Sequence, residues 1–310
     1  MATYNKRVGV IGSINTDVVC NTDVLPKIGE TVIGKDFLIS FGGKGANEAV
    51  AASRLGASTN LLGCVGDDMF SKNAIAHLQE EGVHITAVKQ VKNTMGGIAN
   101  IVVSNKNNQI IVIPGANELV DTSYIKKYTA RIKECSIVGG QFEIPIDALL
   151  LASQICVDNN IKFVLNPSPI KDYPKQLFDN ASYVIVNEIE LKTITGYDDT
   201  TPLKVLELYP SKLILTKGSD GVYYHDGTQL VHIPAIKVNV IDTTGAGDTF
   251  MGAFMMAINN NMSLKDAVLF ANISAGLKTT KLGAQTGMPK LNDVKKYVKA
   301  NKINLNINMD

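Results

Sequence analysis

The sequence predicts an α/β fold built from βαβ units, and three observations carry that expectation. Apolar, strand-like runs recur at "RVGVIGS", "TNLLGCVG", "CSIVGGQFE", "KFVLNPSP", "YVIVNEIE" and "KLILTKGS", each bounded by turn residues. Helix-length segments separate most of them, the alternation of a sheet whose strands are joined by crossover helices. Several runs end in small or polar residues, at Gly12 to Asn15, Gln141 to Glu143, Asn166, Asn187 and Thr216 to Ser219. Open parallel sheets gather ligands there, outside the carboxyl ends of their strands.

Taken from the amino terminus, "MATYNKRVGVIGS" passes directly into the first strand pattern. Two later regions break the βα alternation: Thr16 to Phe41, and Asn93 to Pro114 with its "GGIANIVVSNKNNQIIVIPG". Both read as extended chain or hairpins, the second supported by a turn at "NKNN", and they suit an edge sheet or a lid over a site equally well. No internal repeat, linker or domain boundary interrupts the 310 residues, and the polar tail "NKINLNINMD" is expected to fray.

Composition narrows the partners. Hydrophobic residues make up 45% of the chain, and 30 basic against 29 acidic residues leave a formal charge of +1. A substantial core is expected, and no bulk charge favours nucleic acid or an anionic membrane. No stretch approaches the ~20 apolar residues of a spanning helix. Cys20, Cys64, Cys135 and Cys156 are scattered, without CxxC pairing or an upstream signal peptide, which points to a reducing cytoplasm. His77, His84, His225 and His232 show no metal-ligand spacing.

Two glycine clusters carry the chemistry. In "IDTTGAGDTFMGAFMMAI" a helix beginning near Ala246 leaves its first amides without intrahelical partners, and Gly245 and Gly247 remove side chains that would block an anion's approach. The stretch is neither a Walker loop nor a dinucleotide fingerprint, since Phe250 stands where the third glycine belongs. Asp248 beside such an anion site suits acceptance of a proton from an attacking hydroxyl, hence phosphoryl transfer; taken alone, it better suits a carboxylate that complements the helix dipole. In "FGGKGANEAVAASRLGA", Gly42, Gly43 and Gly45 turn the chain into a helix from about Ala46, with Lys44 and Asn47 at its entrance. These residues offer donors to hydroxyls or phosphate, or simply cap and pack the helix. In "GSINTDVV", period-two alternation points Asn15 and Asp17 to one side, a pair suited to sugar hydroxyls that donate and accept at once.

Together "GSINTD", "FGGKGAN", "NEIE" and "DTTGAGDTF", in that order and spacing over nearly the whole chain, resemble the ribokinase family of carbohydrate kinases. The resemblance implies a ribokinase-like three-layer α/β/α sandwich with a central, mainly parallel sheet. It also implies a small β-sheet lid from about residues 16–41 and 93–114 that pairs with its copy in a homodimer. The implied reaction moves the γ-phosphoryl of ATP to the O5 hydroxyl of D-ribose. By the same resemblance Asp248 is the base, and the amides of Ala246, Gly247 and Asp248, following Gly245, form the anion hole. Asn15, Asp17, Gly43, Lys44, Asn47 and Glu143 bind ribose. Asn187 and Glu190 organise Mg²⁺ and phosphates through water, and Thr216, Lys217, Gly218, Ser219, Asp220 and Gly221 form a nucleotide loop, with Asn272 near the base where histidine is common. The family's K⁺ would be held by Asp242 and Thr244 with the carbonyls of Lys278, Lys281 and Gly283. Both lysine side chains would turn to solvent, and Gly287 stands where serine is frequent.

Rival acceptors are 2-deoxyribose, another pentose or hexose, or a nucleoside. The last would need a stacking pocket that a chain with no Trp and 6% aromatics is poorly supplied to build. A non-catalytic sugar sensor is a different class; it could dispense with Asp248 and its glycines, yet both are present.

Overall fold

The structure, a computed structural model, describes residues 7–104, 107–196, 202–305 and 307. The turn expected at "NKNN" and the end of the polar tail lie partly outside these residues. The chain runs through β1 (Arg7–Ile11), β2 (Asn15–Thr22), β3 (Gly34–Gly42), α1 (Lys44–Arg54), β4 (Thr59–Val65), α2 (Met69–Glu80), β5 (His84–Gln90), β6 (Gly97–Ser104) and β7 (Asn107–Ile113). It continues with α3 (Thr122–Lys133), β8 (Cys135–Gln141), α4 (Ile146–Asp158), β9 (Lys162–Asn166), α5 (Lys175–Asn180), β10 (Tyr183–Asn187), α6 (Glu188–Thr195), α7 (Pro202–Leu208) and β11 (Leu213–Thr216). Last come β12 (Val222–His225), β13 (Leu230–Ile233), α8 (Ala246–Asn259), α9 (Leu264–Lys278), α10 (Ala284–Gly287) and α11 (Leu291–Ala300).

Nine strands form one sheet in the order β13-β12-β11-β10-β9-β8-β1-β4-β5, parallel from β11 to β5. The β12–β13 hairpin adds antiparallel strands at one edge. Its turn is an Asx arrangement in which the Asp226 carboxylate accepts from the Thr228 hydroxyl and from the amides of Thr228 and Gln229, bonds that hold its pKa down to about 2. The "DG" of "HDGTQL" is a hairpin signal that the expectations above did not include.

Alternation along the strands builds two cores. Ile137, Val164, Ile185 and Ile214 enter the layer filled by α1, α8 and α9, while Val138, Leu165, Val184 and Leu213 enter the one filled by α3, α4 and α7. Helices therefore cover both sheet faces, as an all-parallel stretch requires. Helix α8 is apolar all round, and every residue from Asp248 to Ile258 is buried.

The two irregular regions meet in a single four-stranded sheet, β3-β2-β6-β7, in which β2 and β6 pair in parallel. Directly paired residues share a face, so Asp17, Ser40, Ala99 and Val112 lie on one side and Val18, Ile39, Asn100 and Ile111 on the other. Among the described residues no helix is long and apolar enough to cross a membrane.

Candidate active site

The carboxyl ends of β1 and β8, the start of α1 and the start of α8 converge on one carboxylate. Asp248, in the first turn of α8, is 6% exposed. Its Oδ2 accepts a 2.7 Å hydrogen bond from Asn47 Nδ2, and its Oδ1 lies 3.6 Å from Lys44 Nζ. Asn47 is itself held from behind, its Oδ1 accepting from Gln285 Nε2 at 2.9 Å. The Lys44 ammonium is resisted by burial, but Asp248, Glu143, Glu48 and Glu190 outweigh that and raise its pKa.

Gly245 takes the left-handed conformation (φ 75°) that starts α8 without a side-chain cap. Of the three amides expected to form an anion hole, that of Ala246 is already bonded to the Thr243 carbonyl at 3.1 Å. This corrects the expectation to two: no group among the described residues accepts from the N–H of Gly247 or Asp248. A Cβ at Gly247 would meet nothing within 4 Å, so those amides open onto space.

Helix α1 starts at Lys44, two residues earlier than expected, after Gly43 (φ 85°). Glu143 Oε2 accepts from the Lys44 amide at 3.0 Å and from the Ser13 hydroxyl, so part of its carboxylate satisfies the helix start. Asn15 is buried and oriented by Asn117, whose Nδ2 donates to Asn15 Oδ1 at 2.7 Å. Burial, then the charges of Glu143 and Asp248, push the Asp17 carboxyl up to about 6. The six residues expected on the sugar side are thus gathered in one place with Asp248.

Two strand-end residues expected near a ligand serve a deeper layer. Gln141 and Asn166 donate to the fully buried Glu48. Burial and the nearby Asp248 charge push Glu48 well above the usual carboxylate range, which favours its neutral form.

On the other side of Gly247 a cleft of about 870 Å³ extends past Thr216, Gly218–Val222, Asn272 and Gly276. The "TKGSDG" loop is a single turn of 3₁₀-helix over Gly218–Asp220, closed by Gly221 (φ 102°). Its Asp220 accepts from the Tyr223 hydroxyl at 3.0 Å, and Lys217 bridges Glu188 and Asp220. Asn272 does not point freely into the cleft: its Nδ2 donates to the Pro234 carbonyl at 2.8 Å, fixing the 234–240 wall that the sequence reading missed. "NEIE" is a capping box, with Asn187 Oδ1 accepting from the Glu190 amide (2.9 Å) and Glu190 Oε2 from the Asn187 amide (2.8 Å).

The residues expected around K⁺ also meet, but with donors turned inward. Asp242 Oδ1 accepts from the Thr244 amide (2.9 Å) and hydroxyl (2.7 Å), and Oδ2 accepts from the Gly283 amide (2.8 Å). Lys278 does not turn to solvent. Its side chain is 0% exposed, and its Nζ donates to the Asp242 carbonyl at 2.8 Å and lies 3.6 Å from Asp242 Oδ2. Burial pushes the Lys278 ammonium below its usual range, while Asp242 and, more weakly, Asp248 pull it back. The Lys278 carbonyl accepts from the Lys281 amide and that of Gly283 from the Gly287 amide, both at 3.3 Å. This ligand set does not fit an added metal cation.

A proton acceptor beside two unengaged amides, set between a polar pocket and a nucleotide-sized cleft at the carboxyl edge of a parallel sheet, defines a nucleotide-dependent phosphotransferase acting on a hydroxyl. Residues 5–291 match the family described as pfkB family carbohydrate kinase, and the chain belongs to that family of ATP-dependent sugar kinases. The ribokinase of Lactococcus lactis is 42% identical over 300 residues, covering 96% of this chain and 99% of that protein. The deoxyribokinase of Salmonella typhimurium is 33% identical over 308 residues, covering 95% and 99%. The solved structure of Arabidopsis thaliana ribokinase complexed with ribose and ATP matches with a TM-score of 0.89 at 28% identity, over 95% of this chain and 99% of that one.

Proposed function

We propose that this chain transfers the γ-phosphoryl of ATP to the O5 hydroxyl of D-ribose. Asp248 accepts the hydroxyl proton as the O5–phosphorus bond forms. The bond from phosphorus to the bridging oxygen breaks, and ADP leaves with the electron pair. The amides of Gly247 and Asp248 meet the charge on the migrating group, and Asn47 aims Asp248 through their 2.7 Å hydrogen bond. The single supporting observation is this Asn47–Asp248 pair beside two amides that have no partner among the described residues.

On the sugar side the reading assigns the hydroxyls to Asn15, Asp17, the Gly43 backbone, Lys44, Asn47 and Glu143. The adenine nucleotide takes the cleft between Gly247 and Thr216–Gly221, with Asn272 behind it. Among the described residues no group of three or more His, Cys, Asp or Glu could hold a metal, which suits Mg²⁺ carried on the nucleotide phosphates. Asn187 and Glu190 would hold it through water, since this ion keeps most of its hydration, and when bound it would neutralise phosphate charge. Monovalent K⁺ is left out of the proposal because Lys278 occupies its ligand set.

ATP consumption measured with D-ribose, 2-deoxyribose, hexoses and nucleosides tests the assignment, with the highest kcat/KM expected for ribose. A preference for 2-deoxyribose would favour the second reading, which the 33% identical deoxyribokinase supports.

The small sheet is assigned as a lid whose outer face joins a second copy. Opposite the Asp17 face, Phe37 (68% exposed), Ile39 (44%) and Ile111 (62%) form an uncovered apolar strip. Light scattering is expected to give twice the 33.3 kDa chain mass; a monomer mass would remove the dimer.

Asp17 also makes the reaction pH-dependent. With its carboxyl held at about 6, it is an anion above that pH, and below it carries a proton that makes one oxygen a donor and removes the negative charge facing the sugar hydroxyls. Because the folded state holds this proton more tightly than an unfolded carboxyl would, ionising Asp17 costs stability that returns as the pH falls. The kcat/KM for sugar is expected to fall below about pH 6, and Asp17→Asn to lose that limb of the profile. A wild-type profile flat from about pH 5 to 7 would contradict the assignment.

A further inference from the structure

We propose that Lys278 is a built-in monovalent cation, its ammonium serving beside the anion hole in place of a K⁺ ion, so that the enzyme needs no added monovalent metal. The proposal rests on the phosphoryl-transfer reading above and concerns the regulation of that same site. A lysine in the last turn of a helix normally runs its stem along the surface and leaves its ammonium in water. Lys278 does the opposite: it ends α9, is wholly buried, and directs Nζ at the Asp242 carbonyl, 2.8 Å away, with the Asp242 carboxylate at 3.6 Å. Fully buried lysines are rare unless paired, and the partners here are the carbonyl and the carboxylate of Asp242.

Gly287 shows that the fold makes room for this side chain. A Cβ at Gly287 would stand 2.9 Å from Lys278 Cε and 3.1 Å from the carbonyl oxygens of both Lys278 and Lys281. The lysine stem therefore passes through the place where those carbonyls converge, and a side chain at 287 would collide with it. Glycine also brings no side-chain oxygen to offer a metal. A second cation in this space would stand against an ammonium, with Asp242 already accepting from Thr244 and Gly283.

The clamp reaches the reaction through covalent neighbours. Asp242 stands three residues before Gly245, where α8 begins. Gly283, whose amide holds Asp242, leads to Gln285, whose amide holds Asn47 against Asp248. The ammonium thus contributes positive charge near the anion hole and ties its turn to the 278–287 segment.

The test compares the wild-type enzyme in KCl, NaCl and tetramethylammonium chloride at matched ionic strength, by ribose-dependent ATP turnover and by calorimetric titration with ADP. Turnover and ADP affinity are expected to agree within about twofold across the three salts. Lys278→Ala is expected to lose on the order of tenfold in kcat in tetramethylammonium, as removal of a fixed charge near a transition state does, and to recover in KCl through the space it opens. Lys278→Met, which keeps the volume without the charge, is expected to lose as much and not to recover. Activation of the wild type by K⁺ of more than about fivefold, or tightening of ADP by K⁺ to that extent, would overturn the proposal whether or not the variants fold. So would a Lys278→Ala enzyme with full turnover in tetramethylammonium. Absence of sugar phosphorylation in every salt would count against the kinase reading instead, and the ADP titration would still decide the role of Lys278.

Discussion

Asp248→Asn is expected to leave the fold and ribose affinity nearly intact while lowering kcat by roughly 10² to 10⁴, the usual contribution of a general base. The substitution is nearly isosteric, so the 2.7 Å contact with Asn47 has a replacement oxygen and the α8 start is undisturbed. What disappears is the ability to take a proton from O5. The charge facing Lys44 at 3.6 Å disappears too, so a small change in KM should accompany the large fall in kcat. Ribose binding by calorimetry separates the two effects. Near-normal turnover would remove the base assignment and with it the mechanism.

The second large effect is expected at a residue that touches no ligand. Helices α1 and α8 carry Lys44, Asn47 and Asp248, and they pack backbone to backbone at Gly252. A Cβ there would lie 2.5 Å from the Glu48 carbonyl oxygen, 2.8 Å from Ala51 Cβ and 2.9 Å from the Ala52 amide nitrogen. Two of these three are backbone atoms of a helix and cannot swing aside. Gly252→Ala is therefore expected to cost about 1–3 kcal/mol by overpacking, with a larger loss for Gly252→Val. Because separating the helices lengthens the Asn47–Asp248 contact, kcat should fall together with stability. Urea denaturation and steady-state kinetics on the same variant check both, and a stable, fully active Gly252→Val would contradict the packing argument.

The strands were legible because each is a short apolar run between turn residues, and the six runs quoted from the sequence all became strands of the large sheet. The β12–β13 hairpin and the edge strand β5 were not picked out, the first despite its "DG" turn. At the site, the glycine-flanked helix starts at Lys44 and Ala246 were readable from local chemistry. Their meeting was not: Asn47 and Asp248 are 201 positions apart, and Gln285 lies 238 positions from Asn47. No local pattern marks Asn117 or Gln285 as supports for Asn15 and Asn47, or Glu48 as a buried carboxyl beneath them. Lys278 reversed a reasonable expectation, since a lone helix-end lysine has no sequence signature that distinguishes a solvated side chain from a buried one.

From its sequence alone this chain determined the βα alternation, the two glycine-flanked helix starts, and the residue types able to accept a proton or bind hydroxyls. Periodicity and backbone conformational preference act within a few residues, so they are written locally. Tertiary structure alone decided the placement of β1 between β8 and β4, the meeting of Asn47 with Asp248 and Gln285, and the inward course of Lys278 toward Asp242. Each of those outcomes depends on what burial brings within a few ångströms, and burial joins residues that the chain keeps far apart.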